Sequence, residues 1–190
     1  MMEYENLDLS SMRKAVDDFG YQLRSFDVGL FFYAGHGVQA NGENYLIPVD
    51  ANLKTENDVS YNCVNTGRLL AKMEDARNPT NIIILDACRD NPFERSWTRS
   101  TSSKGLAFMN APAGSLIAYA TSPGFTASDG IGENGLYTSA ILHFIDRTNQ
   151  NILEMFQEVR RYVRTQSNGE QIPWETTSLE GNFYFIPSEK

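Results

Sequence analysis

The stretch that most constrains this chain is Asn81 to Pro92, which reads N-I-I-I-L-D-A-C-R-D-N-P. Ile82, Ile83, Ile84 and Leu85 make a continuous apolar run shortly after Pro79. A run without polar alternation, preceded by a breaker, reads as a short strand buried on both faces, as in a parallel sheet. It gives way at once to Asp86, Ala87, Cys88, Arg89 and Asp90. An open α/β sheet places its ligand site at the carboxyl ends of such strands. The run therefore predicts an α/β domain that presents Cys88 on a turn at the sheet's edge, with charge on either side.

A cysteine becomes a nucleophile at neutral pH when a neighbouring base generates and stabilises its thiolate. The chain has two histidines, so the choice is small. His36 ends a second segment of the same design, Val28-Gly-Leu-Phe-Phe-Tyr-Ala-Gly-His-Gly37, in which an apolar run again carries a reactive group at its tip. His36 precedes Cys88 by 52 residues. That order and distance match a nucleophilic cysteine whose histidine lies about 50 residues upstream.

These residues resemble the caspase-like cysteine peptidases, the group of caspases, metacaspases and paracaspases. The resemblance rests on Tyr33-Ala-Gly-His-Gly37, Asn41 to Asp50 with its Pro-Val-Asp ending, Leu85 to Pro92, and Leu116-Ile-Ala-Tyr-Ala-Thr121. It spans about Ser25 to Phe185, and the motif texture looks most like bacterial paracaspase-type members. It implies a three-layer fold, a mainly parallel six-stranded sheet with helices on both faces. Family members usually carry a further strand, helix and strand ahead of the region that starts here near Leu9. Their first strand lies beside the histidine strand. Without it the Phe31 strand becomes a bare apolar edge, open to pairing with another chain. The expectation is a single domain over residues 1–190, incomplete at its front, that forms a homodimer or takes a complementing chain.

Composition narrows the function classes. A 190-residue chain is long enough for one full core. The 41% hydrophobic and 12% aromatic content is that of a globular protein. A net charge of −8 argues against nucleic acid as a partner. No apolar run approaches the roughly 18 residues of a membrane span, and no leader pattern opens the chain. Two distant cysteines make no disulfide framework, and a working thiol favours a reducing compartment, hence a cytoplasmic location. No zinc spacing and no calcium loop appears, so no cofactor is expected.

Taken in order, Ser10 or Ser11 caps a predicted helix reaching Leu23, with Met12, Ala15, Val16, Phe19 and Leu23 on one face. The His36 strand follows, then a polar loop from Val38 to Glu43 with an Asn-Gly turn, and a strand from Tyr45 to Val49. Ala51 to Tyr61 reads as irregular. Thr66 caps a helix from Gly67 to Arg77, with Leu69, Leu70 and Met73 inward. After the Cys88 strand comes a Ser-, Thr- and Arg-rich loop, then a buried strand from Gly114 to Ala120 and a long loop from Thr121 to Gly135. Helices are predicted over Leu136–Asp146 and Asn151–Ser167, the second with Ile152, Met155, Phe156, Val159 and Val163 on one stripe. Gln171 to Glu175 and Asn182 to Ile186 are short extended pieces.

The resemblance implies that Cys88 is the nucleophile, His36 the acid and base, and the N–H groups of Gly37 and Cys88 the oxyanion hole. A side chain at position 37 would crowd the incoming carbonyl. No third triad residue is evident; a backbone carbonyl is one way to orient His36. Asp86 stands two residues before Cys88, on the same side of an extended chain. A carboxylate there favours a cationic substrate side chain, and in the related peptidases this position lines an arginine or lysine pocket. Asp129, or else Glu133, supplies a second carboxylate. The expected partner is a peptide or protein cleaved after Arg, then Lys, and not after Asp. Arg95, Arg99 and Lys104 mark a loop open to self-cleavage, the alternative being a plain solvated loop. Competing readings are a capping role for Asp86, a local ion pair between Arg89 and Asp86 or Asp90, core roles for Tyr33, Tyr119, Trp174 and His143, and an incidental Cys63. An inactive caspase-fold binding module, or a hydrolase of something other than peptides, would also account for the pattern.

Overall fold

Helices form where one apolar stripe meets a usable cap. In the computed structural model, which describes residues 1–88, 106–122 and 134–188, α1 spans Leu9–Leu23. Its N-cap is Asp8, whose carboxylate accepts the Ser11 N–H at 2.7 Å, and not Ser10 or Ser11, which are already inside the first turn. A second carboxylate, that of Asp50, accepts the Leu9 N–H at 2.8 Å. Two negative groups thus sit on the positive end of the helix. Asp50 is the last residue of the Pro-Val-Asp motif, whose role here is to seat α1.

Strand β1 covers Val28–Ala40 and β2 Glu43–Leu46. The polar loop expected from Val38 to Glu43 is instead a hairpin: Ala40 pairs with Glu43 across Asn41 and Gly42. Both turn residues have positive φ, 52° and 81°, which suits the twist of antiparallel strands. β2 ends at Leu46, so it begins and stops earlier than the sequence suggests. A 3-10 turn at Glu56–Asp58 and the short α2, Val59–Asn62, occupy the stretch expected to be irregular. The two-residue β3, Val64–Asn65, leads into α3, Thr66–Ala76. Asn65 caps α3 by accepting the Gly67 N–H at 2.6 Å, while the Thr66 hydroxyl turns inward and donates to the Asn44 carbonyl.

β4 is Thr80–Cys88 and β5 Ser115–Tyr119; β4 pairs in parallel with β1 on one side and with β5 on the other. α4, Leu136–Phe144, α5, Ile152–Gln166, and the antiparallel edge strand β6, Trp174–Thr177, complete the described chain. The sheet has six strands in the order β3-β2-β1-β4-β5-β6. Four of them run one way, so the fold is the expected mixed, mainly parallel sheet between two helical layers.

Alternation in β4 feeds both layers. Ile82 and Ile84 pack with Leu116, Ala118, Tyr137 and the whole predicted stripe of α5. Ile83, Leu85 and Ala87 pack with Ile117, Tyr119, Leu69, Met73 and the inner face of α1. β1 is covered on the second side only. Val28, Leu30 and Phe32 stay 42%, 42% and 43% exposed, and among the described residues Val28–Gly35 has no strand on its other edge.

Gly114 opens β5 with φ +70°, and a Cβ there would stand 2.4 Å from the Pro79 carbonyl oxygen. Backbone cannot yield as a side-chain tip can. Gly114→Ala is expected to cost about 2–3 kcal/mol, a fall in Tm of about 5–10 °C by calorimetry.

Candidate active site

His36 and Cys88 are register partners on the adjacent parallel strands β1 and β4. Theirs is the last pair before the strands part. From Gly37 onward β1 pairs with β2, Gly37 opposite Leu46. His36 therefore sits at a fork, where β1 changes partners at the carboxyl end of β4. The carboxyl ends of the parallel strands are where α/β sheets hold ligands.

The fork also aims a backbone donor. The His36 carbonyl faces β2, where it accepts the Ile47 N–H at 3.0 Å. Across a trans peptide the C=O of one residue and the N–H of the next point in opposite directions. The Gly37 N–H is thus turned away from β2, toward the side on which β4 ends at Cys88. No cis peptide interrupts the described chain. The absent side chain at Gly37 has a packing reason. A Cβ there would meet Leu106 Cδ2 at 2.9 Å and the Ala87 Cβ at 3.2 Å, on the core side. Leu106 is itself held in place, because the Asn44 amide both donates to the Ala107 carbonyl, at 2.8 Å, and accepts its N–H.

Asp86 is half-buried near the end of β4. One of its oxygens, Oδ2, accepts the Thr138 N–H at 3.2 Å and the Thr138 hydroxyl in a short contact. Thr138 lies in the first turn of α4, whose N-cap is Gly135 and has no capping side chain of its own. Asp86 thus supplies the cap from 52 residues away, which holds the carboxylate in one orientation beside the helix's positive end. The capping alternative for Asp86 is present, though on a distant helix and not on its own turn.

Other candidates sort by position. Trp174 is 43% exposed and pairs with Tyr119 at the carboxyl end of β5, so it lies on the same sheet edge as His36 and does not fill the core. Tyr119 is buried, and its hydroxyl accepts the Met109 N–H at 3.3 Å. His143 is exposed on α4, stacked on Tyr162 and edge-on to Phe144. Cys63 is buried, and burial pushes its thiol up to about 12. Asp129, Glu133, Arg89, Asp90, Arg95, Arg99 and Lys104 lie outside the described residues. Among the described residues no three acidic, His or Cys side chains gather as a metal site, and no helix is long and apolar enough to cross a membrane.

Three residues escaped the sequence reading: Thr138, Asn44 and Asp50. Each acts through a hydrogen bond spanning 41 or more positions, which no local pattern signals. Tyr33 was assigned to the core. Its ring does pack there, but its hydroxyl donates to the His36 carbonyl at 2.8 Å and lies 3.3 Å from the Ile47 carbonyl.

Comparison with known proteins agrees with this architecture. The caspase-domain profile of the peptidase C14 family matches residues 1–184. The human mucosa-associated lymphoid tissue lymphoma translocation protein 1 is 31% identical over 142 residues, 73% of this chain. Its mouse homologue is 30% identical over the same length. The chain spans only 16% of the length of these curated relatives. The crystal structure of caspase-1 from Spodoptera frugiperda superposes with a TM-score of 0.66 at 17% identity, over 98% of this chain and 74% of that one. The profile covers nearly the whole chain and the superposition matches its fold: the chain belongs to the caspase-domain family of peptidases.

Proposed function

We propose that this chain is a cysteine endopeptidase that hydrolyses peptide bonds after arginine and, less efficiently, lysine. The observation that carries the reading is the in-register pairing of His36 with Cys88 where their strands part. In the proposed reaction the Cys88 thiolate attacks the peptide carbonyl carbon, an S–C bond forms, and the carbonyl electron pair moves onto oxygen. The N–H groups of Gly37 and Cys88 receive that charge, an interaction whose single-donor loss costs about 3–4 kcal/mol in other enzymes. The C–N bond then breaks as the His36 imidazolium gives its proton to the departing amine. Water, deprotonated by His36, attacks the thioester; the C–S bond breaks and Cys88 leaves as thiolate.

Asp86 gives the proposed pocket its preference for cations, and Asp129 is the proposed second carboxylate. Family membership and the fixed Asp86 carboxylate support this assignment. A panel of fluorogenic peptides differing only at the residue before the cleaved bond tests it. The expected order is Arg, then Lys, with Asp uncleaved. Preference for Asp would refute the pocket, and no cleavage of any peptide would refute the activity.

The edge of Val28–Gly35, which has no strand beside it among the described residues, favours a second role for the same chain, pairing of β1 with a strand from a second copy or another protein. Sedimentation across a hundredfold concentration range should show self-association. A monomer throughout, with a cooperative melt, would rule out the homodimer.

A further inference from the structure

We infer that Tyr33 is a positioning residue for the oxyanion hole: its hydroxyl locks the His36–Gly37 peptide so that the Gly37 N–H stays aimed at the reacting carbonyl. The inference rests on the proposed peptidase reading and extends it to a residue outside the dyad. Two donors converge on the His36 carbonyl, the Ile47 N–H at 3.0 Å and the Tyr33 hydroxyl at 2.8 Å. Both pull the same peptide plane toward β2, and planarity transmits that orientation to the opposite N–H. The brace is needed at this point in particular. His36 is the last residue of β1 in register with β4 and Gly37 the first in register with β2, so the peptide between them is the junction of the two ladders.

The neighbouring sequence makes room for the phenol. Gly35 lies against it, and a Cβ there would stand 2.7 Å from the Tyr33 hydroxyl and 2.9 Å from the ring carbon that bears it. The Tyr-Ala-Gly-His-Gly motif thus contains one glycine that admits the brace and another whose N–H the brace directs. Burial raises the Tyr33 phenol above its ordinary range, so it stays protonated and remains a donor at any working pH. A preorganised donor stabilises charge that develops only in the transition state, so its loss lowers kcat and spares KM.

The test compares wild type with Tyr33→Phe, which removes the hydroxyl, and Gly35→Ala, which keeps it but pushes the phenol off its position. On a fluorogenic Arg-peptide both variants should lose about tenfold in kcat with KM within about twofold. A peptide ending in an arginine aldehyde, which forms a charged tetrahedral adduct with the thiol, should lose affinity by a similar factor. Alkylation of Cys88 by iodoacetamide needs no oxyanion hole and should keep its rate. Unchanged kcat and aldehyde affinity in folded Tyr33→Phe would overturn the inference. So would equal losses in aldehyde binding and alkylation, which would indicate general loosening. Should wild type cleave nothing, the peptidase reading fails separately, and the Gly37 amide resonance still decides: exchange broadening at Gly37 but not Val38 in Tyr33→Phe supports the brace, and an unaltered resonance refutes it.

Discussion

Alanine in place of Cys88 is expected to bring hydrolysis of an Arg-peptide to background, a loss in kcat of about 10³-fold or more. The thiolate forms the only covalent bond to substrate in the proposed cycle, and alanine offers no lone pair to replace it. His36→Ala should fall to a similar floor, because nucleophile and base act as a unit, and the double variant should be scarcely worse than either single one. Fold is not at stake in either case. His36 is exposed within β1, and its backbone contacts with Ile47 and Tyr33 persist without the imidazole. Equal melting temperatures by circular dichroism, with activity lost, would separate chemistry from stability. Residual turnover within tenfold of wild type in Cys88→Ala would overturn the assignment of the nucleophile.

The second large effect concerns charge at position 86. Asp86→Asn keeps an oxygen that accepts from Thr138, so the cap on α4 survives while the negative charge goes. Cleavage after Arg should fall by about 100-fold in kcat/KM, the scale of about 2–3 kcal/mol for a hydrogen bond between charged groups. Asp86→Ala removes cap and charge together and should lower Tm by a few degrees as well, about 1 kcal/mol for a lost cap. Parallel kinetics on an uncharged-residue peptide provide the control: a loss of equal size there would mean that Asp86 positions the site and does not select the substrate.

The parts legible in the sequence were those in which burial follows a period. Ile82–Leu85 had to lie inside a sheet, and the α5 stripe had to face a core. Cap identity was not legible. Ser10, Ser11 and Thr66 are all good capping types, and the choice of Asp8 and Asn65 depends on which residue lies just outside the helix when its N–H groups open. β1 ran past Gly37 unrecognised because its last residues belong to a hairpin, and their strand character comes from β2. Of the site, His36 and Cys88 were found by spacing. Tyr33 was not, because residues three apart on a strand point to opposite faces; its contact is with the His36 main chain, in the plane of the sheet.

The sealing of Cys63 has a practical consequence at the bench. With two thiols in the whole chain and one shut inside the core at 2% exposure, a thiol-modifying reagent meets a protein with a single address. Uptake of one equivalent by the folded protein is the outcome expected if Cys88 is the proposed nucleophile. A second equivalent reports that the packing around Leu53, Val59 and Cys63 has come apart.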